Sequence, residues 1–168
     1  MEPSAPVELE PTLPREHAPK RLRRPESVLI VIYTAGGEFL LLERRRPPGF
    51  WQSVTGSRDS LDEPLARTAA REVFEETGID VLDGVLCDWQ HAIQYDIYAR
   101  WRARYAPGVT RNREHWFGLE VSREVEVRLA PREHVSYVWL DYHEAARRCF
   151  SPSNAEAILQ LAKRRPRA

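Results

Sequence analysis

Several features that would assign this 168-residue chain to a particular class of protein are scarce. It has two cysteines, Cys87 and Cys149, which form no CxxC pair, so the sequence predicts neither a disulfide framework nor a zinc site. No apolar run is long enough to span a bilayer, and no hydrophobic signal region begins the chain. We therefore expect a cytoplasmic protein without a membrane partner.

An excess of charge of one sign is also missing. The 25 basic and 25 acidic side chains give a formal net charge of zero. Because no overall field attracts nucleic acid, we do not expect it as a partner, and any anionic substrate must be bound by locally clustered cations. The length favours one folded domain, and the sequence leaves the oligomeric state open.

The two ends of the chain differ in composition from its middle. Residues 1–24 are rich in proline and lack apolar periodicity, which predicts a disordered tail. Residues 165–168 form a basic C-terminal end. Between them, residues 25–164 mix strand-like and helix-like segments, which predicts one α/β domain whose mixed sheet is covered on both faces by helices.

Periodicity locates most of the expected strands and helices. Apolar or alternating segments predict strands over residues 27–34, 39–43, 85–89, 91–104, 115–121, 125–129 and 136–140. Helical periodicity and capping signals predict helices between Ser60 and Gly78, over residues 141–149 and over residues 153–162.

The helix that ends before Gly78 carries three carboxylates on one face. On a helical wheel, Glu75 and Glu76 lie within about 60° of Glu72. The opposite side is apolar and is expected to pack on the sheet: Ala66, Ala70, Val73 and Phe74. Two interpretations are open. The helix is either a solvated surface helix with arginine–glutamate pairs, or a site for Mg²⁺ or Mn²⁺, which prefer carboxylate oxygens.

The residues around these carboxylates resemble a known motif. Residues 71–79, REVFEETGI, are similar to the core of the Nudix box, and seven residues separate Glu63 from Arg71 as the box requires. Gly56 matches the first glycine of the pattern, but six residues, instead of five, separate it from Glu63. We expect the extra residue to change the loop and to leave the helical carboxylates in register.

This resemblance implies a Nudix-type α/β/α sandwich and a hydrolase that cleaves a diphosphate linked to another group. It implies that Arg71 orients a glutamate, that Glu75 belongs to the catalytic carboxylates, and that Glu72 and Glu76 bind Mg²⁺, with Mn²⁺ as an alternative. Glu63 has two open roles. It supports the site from its edge, or it caps the helix with Ser60, from which it has capping-box spacing, or it does both.

Segments outside the box resemble one branch of the family, the dihydroneopterin triphosphate pyrophosphatases of bacterial folate synthesis. They are FWQSVTGS at Phe50–Ser57, RYAPGVTRN at Arg104–Asn112 and EHVSYVWL at Glu133–Leu140, within a likeness over residues 25–154. In that branch a carboxylate beyond the box completes the metal site and the catalytic set, and Glu133 matches its position. The likeness also implies substrate-binding roles for eight residues: Arg23, Arg44, Thr55, Tyr95, Asp96, Ile97, Tyr98 and Ser151.

Some of these roles have a physical basis. Tyr95 and Tyr98 offer flat faces to a pterin ring, and Asp96 can accept hydrogen bonds from its N–H donors. The alternative is a half-buried strand with a solvated polar face, and for Ile97 packing is the favoured role. The role of His134, which adjoins Glu133, stays open.

The expected reaction is the Mg²⁺-dependent hydrolysis of 7,8-dihydroneopterin triphosphate to the monophosphate and pyrophosphate. One alternative is a Nudix pyrophosphatase that acts on nucleoside or deoxynucleoside triphosphates or on dinucleoside polyphosphates. Another is a non-catalytic Nudix module that binds a nucleotide. All four box glutamates and Arg71 are present, which argues against the non-catalytic module.

Overall fold

The computed structural model describes residues 21–164, so residues 1–20 and 165–168 lie outside the described part of the chain. Most of the predicted tail and the whole basic C-terminal end therefore fall outside it. Near the start of the described chain, Arg23 forms an isolated β-bridge with Tyr105, and its N–H donates to the carbonyl of Arg104 at 2.7 Å. Arg21 also donates to the carbonyl of Asp59 at 2.6 Å, so contacts with the folded domain begin at the first described residue, and the predicted boundary stays a prediction.

Seven strands of the described chain form one mixed sheet. They are β1 Glu26–Thr34, β2 Glu38–Arg44, β3 Trp51–Gln52, β4 Val54–Ser57, β5 Gly84–Asp96, β6 Arg111–Val121 and β7 His134–Asp141. Strand β1 pairs in parallel with β6 along its whole length, and on its other edge it pairs antiparallel first with β4 and then with β2. Strand β2 also pairs with β3 and β7, and β5 pairs with β6, all antiparallel.

Strand β1 lies between two apolar layers, which explains its continuous run of apolar residues. Val28 and Ile30 pack in one layer with Val73, while Leu29 packs in the other with Ile158. Helix α1 (Leu65–Thr77) covers the first face, and α2 (Tyr142–Arg148) and α3 (Pro152–Arg164) cover the second. The predicted mixed sheet between helical layers is confirmed. Among the described helices, none combines the length and apolarity needed to cross a membrane.

Two predicted strands are wrong. The strand expected over residues 91–104 ends at Asp96 and is followed by a 3-10 helix, Ala99–Arg104, in which Trp101 contacts Tyr98 and Phe150. The segment at residues 125–129 is irregular. Its N–H at Arg128 donates to the carbonyl of Thr77 at 2.7 Å. The segment therefore satisfies the open carbonyl end of α1 instead of joining the sheet.

The predicted apolar face of α1 is only partly correct. Val73 is fully buried, but Phe74 is 61% exposed. The buried positions of the helix are Thr68, Ala69, Val73, Glu76 and Thr77. The helix is thus rotated from the expected orientation, so that Glu76 points inward.

Candidate active site

Two adjoining cavities share part of their wall. The apolar cavity, of about 300 Å³, is lined by residues that include Leu29, Tyr95, Ile97, Tyr98, Trp101 and Phe150. The charged cavity, of about 690 Å³, is lined by residues that include Arg71, Glu72, Glu75, Glu76, Glu133 and His134. Residues of the shared wall line both: Arg23, Arg44, Gln52, Thr55, Gly56, Ser57 and Arg104.

The carboxylates of α1 enter the charged cavity at three depths. Glu76 is 3% exposed, the side chain of Glu72 is 13% exposed, and that of Glu75 is 55% exposed. Burial, together with the nearby charge of Glu76, raises the pKa of Glu72 to about 8. Burial also raises the pKa of Glu76, although its contact with His134 opposes the change. The positive groups around Glu72 and Glu76 therefore do not fully compensate the negative charge of these two carboxylates.

Arg71 links the carboxylates of the helix to the loop before it. Its Nη1 donates to Glu72 at 2.8 Å and to Glu75 at 3.4 Å, and its Nε donates to Glu63 at 3.0 Å. Hydrogen bonding from Arg71 lowers the pKa of Glu63 to about 2. One guanidinium thus fixes the orientation of three glutamates.

The predicted capping box does not form. Helix α1 begins after Pro64 without a side-chain cap. The carboxylate of Glu63 instead accepts from Arg71 and from the N–H of Asp59 at 2.8 Å. Of the two roles left open for Glu63, the geometry favours support of the site.

The extra residue between Gly56 and Glu63 is accommodated by Arg58. Its guanidinium donates to the carbonyls of Leu61 and Glu63 at 2.6 Å and to the carboxylate of Glu26 at 2.9 Å. The longer loop is therefore tied to β1 and to itself, while Glu63 still reaches Arg71.

Gly56 is required by the position of Glu72. A Cβ at residue 56 would lie 1.9 Å from the carboxyl carbon of Glu72, well inside van der Waals contact. Strand β4 and helix α1 therefore approach so closely that only glycine leaves room for this carboxylate.

A second group of ligand atoms brings Glu133 to the same cavity. Ligand atoms of Glu76, Glu133 and His134 all lie within 4.8 Å of one another. His134 is buried, and its Nε2 lies 3.0 Å from a carboxylate oxygen of Glu76. The turn at residues 131–133, directly before β7, places Glu133 at the mouth of the site, where it is exposed.

This set of donors fits a hard divalent cation. Its carboxylate oxygens are the ligands that Mg²⁺ and Mn²⁺ prefer. The raised pKa values of Glu72 and Glu76 show uncompensated repulsion and burial, which a bound cation would relieve. The ligand atoms that lie together belong to Glu76, Glu133 and His134, and Glu72 lines the same cavity.

Three arginines converge on the shared wall. Burial and the charges of Arg104 and Arg23 lower the pKa of Arg44 from its usual value. Burial and the charge of Arg23 likewise lower the pKa of Arg104. Because these cations repel one another, an anion such as a phosphate chain would be stabilised between them.

The predicted substrate-side residues lie around the two cavities. Arg23, Arg44 and Thr55 belong to the shared wall. The others line the apolar cavity: Tyr95, Asp96, Ile97, Tyr98 and Ser151. Their environments differ, since Ile97 is 3% exposed whereas the side chain of Asp96 is 74% exposed and pairs with Arg111 at 3.2 Å.

Several lining residues had no motif to reveal them. Trp101 is one, and Arg44 lies over its ring with 5.1 Å between the guanidinium carbon and the ring centroid. Glu114 on β6 is another, and it is buried near Asn112, the last residue of the segment RYAPGVTRN. The first five residues of β6 are all polar, and the sequence does not show which of them face a cavity.

Comparison with known proteins agrees with this geometry. The model of the NUDIX domain matches residues 23–161. Dihydroneopterin triphosphate diphosphatase of Escherichia coli K12 is 44% identical over 145 residues, which cover 84% of this chain and 95% of that protein. The Haemophilus influenzae protein of the same name is 40% identical over 136 residues, covering 79% of this chain and 84% of that one.

A solved structure shows the same relationship. The E. coli dihydroneopterin triphosphate pyrophosphohydrolase aligns with a TM-score of 0.79 and 44% identity, over 86% of this chain and 99% of that chain. Family, fold and box carboxylates therefore agree, and this chain belongs to the Nudix hydrolase family.

Proposed function

We propose that this chain hydrolyses 7,8-dihydroneopterin triphosphate to dihydroneopterin monophosphate and pyrophosphate. Water attacks the phosphorus on one side of the oxygen that bridges the α and β phosphates, the bond from that phosphorus to the bridging oxygen breaks, and the oxygen leaves with the other phosphate group. The names of the relatives at 40–44% identity support this substrate.

The observation that carries the proposal is the pair of cavities with a shared wall. The apolar cavity offers aromatic and aliphatic side chains to a flat ring. The charged cavity offers carboxylates for a cation, and Arg23, Arg44 and Arg104 between them suit the phosphates. A ring with a triphosphate chain matches this order of an apolar cavity, an arginine-rich wall and a carboxylate-lined cavity.

The proposed roles in the charged cavity are supported by its contacts. Glu72, Glu76 and Glu133 hold a divalent cation, for which we propose Mg²⁺, with Mn²⁺ as a substitute. When bound, the cation neutralises phosphate oxygens and lowers the pKa of a coordinated water. Arg71 orients Glu72 and Glu75, and His134 holds the buried carboxylate of Glu76 in place.

The proposed roles in the apolar cavity concern the ring. Tyr95 and Tyr98 contact its faces, Ile97 packs against it, Ser151 offers a hydroxyl group within the apolar cavity, and Thr55 offers one in the shared wall near the phosphates. Asp96 stays a candidate acceptor at the exposed rim. The expected cytoplasmic location and the absence of nucleic-acid and membrane partners stay predictions.

A substrate panel tests the proposal. Pyrophosphate release from 7,8-dihydroneopterin triphosphate, dATP, GTP and a dinucleoside tetraphosphate is measured with Mg²⁺ and with a chelator. We expect kcat/KM for the pterin to exceed that for each nucleotide by about tenfold or more, because a site that hydrogen-bonds one ring edge rejects others. The chelator should abolish activity.

The same panel separates the alternatives. Equal or faster hydrolysis of dATP, or of the dinucleoside tetraphosphate, would replace the pterin with that substrate. No release from any compound, with Mg²⁺ present, would favour the non-catalytic module.

A further inference from the structure

Glu114 is a buried carboxylate that the proposed roles above do not use. It lies on β6, is 4% exposed and lines the apolar cavity. Its Oε1 accepts hydrogen bonds from Nε1 of Trp116 at 3.1 Å and from the hydroxyl of Ser153 at 3.2 Å. Within residues 21–164, the other oxygen, Oε2, accepts no hydrogen bond.

The environment of Glu114 gives it little compensation. Burial raises its pKa to about 7, and the donors Trp116 and Ser153 oppose this only in part. No cation in the described part of the chain pairs with it. A buried carboxylate without a cation lowers the stability of the folded state, so its presence at a cavity wall indicates a role in binding.

Asn112 supplies a second acceptor beside it. It is two residues earlier on β6, so the two side chains lie on the same face of the strand. Its Nδ2 donates to the hydroxyls of Ser27 at 2.7 Å and Tyr95 at 3.1 Å, while its buried Oδ1 has no partner in residues 21–164. This end of the cavity therefore has acceptors that lack donors.

A ring with adjacent N–H donors complements this end of the cavity. The aminopyrimidinone part of a pterin has a ring N–H beside an exocyclic amino group, and guanine carries the same pair, so the expected preference over GTP must come from other contacts of the cavity. Adenine has an amino group beside a ring nitrogen that only accepts. In its ionised form the carboxylate of Glu114 can only accept, so it pairs with the first arrangement and leaves the second unsatisfied, and donors from the first arrangement favour that ionised form.

We propose that Glu114 determines ring specificity by accepting hydrogen bonds, through its free Oε2, from the amino and ring N–H edge of the substrate. This inference rests on the proposed function, since it names the group that reads the pterin. It also assigns the main recognition to a residue other than Asp96. The Asp96 carboxylate is mostly exposed and already pairs with Arg111, whereas a buried acceptor discriminates strongly because a wrong ring leaves it unpaired.

The test compares two matched substitutions on β6. Glu114→Gln keeps an oxygen for Trp116 and Ser153 and places an amide NH₂ where the substrate donors would lie. Glu120→Gln makes the same change on the same strand outside both cavities. For each variant, kcat/KM is measured with 7,8-dihydroneopterin triphosphate, GTP and ATP, and Kd is measured for 7,8-dihydroneopterin without phosphates.

We expect Glu114→Gln to lower kcat/KM for the pterin substrate and for GTP by about tenfold or more, with ATP changed by less than about twofold. The Kd for 7,8-dihydroneopterin should rise by about the same factor as the pterin kcat/KM falls. Glu120→Gln should change none of these values. The melting temperature of Glu114→Gln should be equal to or above that of the wild type, because the variant removes a poorly compensated buried charge.

The outcomes distinguish failure of the proposed function from failure of the inference about Glu114. If the wild type does not prefer the pterin substrate to ATP, the proposed function is wrong. If the wild type does prefer it and the folded Glu114→Gln variant keeps both the preference and the Kd for the free ring, the inference is wrong and the proposed function stands.

Discussion

The charged and apolar cavities are built in opposite ways. In the charged cavity, Glu72, Glu75 and Glu76 come from one helix turn, and Arg71 on the same helix binds two of them directly. The apolar cavity is assembled from separate elements, including β1, β5, β6, the 3-10 helix and the start of α3. Most of the reactive carboxylates are therefore local in the sequence, with Glu133 added from just before β7 and His134 from its start, whereas the recognition of the ring depends on how the whole fold is assembled.

This difference predicts that the two cavities fail in different ways. A change in the charged cavity should affect every substrate, because all of them carry the phosphate chain. A change in the apolar cavity should affect substrates according to their ring.

The largest expected effect comes from Glu76→Gln. The substitution keeps the shape and the contact with His134 but removes the charge that a cation needs. We expect kcat to fall by about 100-fold or more for the pterin substrate and for ATP alike, as for the loss of one key electrostatic group. Steady-state rates with circular dichroism as a folding control measure this. Near-normal activity in a folded variant would show that Glu76 is not a metal ligand.

The next effect concerns the support of the charged cavity by Glu63. Its pKa is lowered to about 2 in the folded state, from an ordinary value of 4.5. Its pairing therefore stabilises the fold fully above about pH 4.5 and loses that contribution as the pH falls toward 2. Glu63→Gln should lower the free energy of unfolding at pH 7 by about 2 kcal/mol, the size of a hydrogen bond to a charged group.

Urea denaturation at several pH values measures this contribution. The difference in unfolding free energy between wild type and Glu63→Gln should shrink below about pH 4.5. A difference that stays constant down to pH 3.5 would contradict the assignment of the lowered pKa to Glu63.

Gly56→Ala tests how closely the two cavities are joined. The added methyl group would overlap the carboxylate of Glu72, which must then move. We expect about a tenfold loss of kcat for pterin and nucleotide substrates together, equivalent to about 1.4 kcal/mol. Gly36→Ala is the control, since its Cβ would meet only Thr34 Oγ1 at 3.7 Å. A loss confined to the pterin substrate would show that Gly56 serves the apolar cavity instead.

The smallest effect is expected from Asp96→Asn at the rim of the apolar cavity. The sequence suggested that this carboxylate reads the pterin, but its exposed pair with Arg111 limits its contribution to about 1 kcal/mol or less. The ratio of kcat/KM for the pterin substrate to that for ATP should fall by less than about fivefold. A fall of tenfold or more in this ratio would show that Asp96 is the main residue that recognises the ring.

What could be predicted from the sequence follows the same division. Helix geometry alone predicts that the carboxylates at residues 72, 75 and 76 share one face, because their spacing fixes their mutual arrangement, and the resemblance to the Nudix box assigns that face to a metal site. Strand β1 can also be predicted from the sequence, since a continuous apolar run predicts a strand that is buried on both faces. These features depend on neighbours within one element.

The errors concern contacts between distant segments. Phe74 was expected in the core, but the orientation of α1 depends on which carboxylate turns toward the site. Val125–Leu129 has strand periodicity, yet its backbone satisfies the end of α1. Glu114 carries no local sign of its position at a cavity. In each case the deciding partner lies far away in the sequence, where periodicity gives no information.

The loop between β4 and α1 bears on how relatives of this chain are recognised. A search pattern that demands five residues between Gly56 and Glu63 would reject this chain, which has six. Yet Gly56 still lies against Glu72, and the carboxylate of Glu63 still accepts a hydrogen bond from Arg71. Arg58 stabilises the longer loop by hydrogen bonds to two of its carbonyls. One residue inserted within α1 would instead rotate the following side chains by about 100° around the helix axis. A useful pattern should therefore allow variable length in this loop and strict spacing only within the helix.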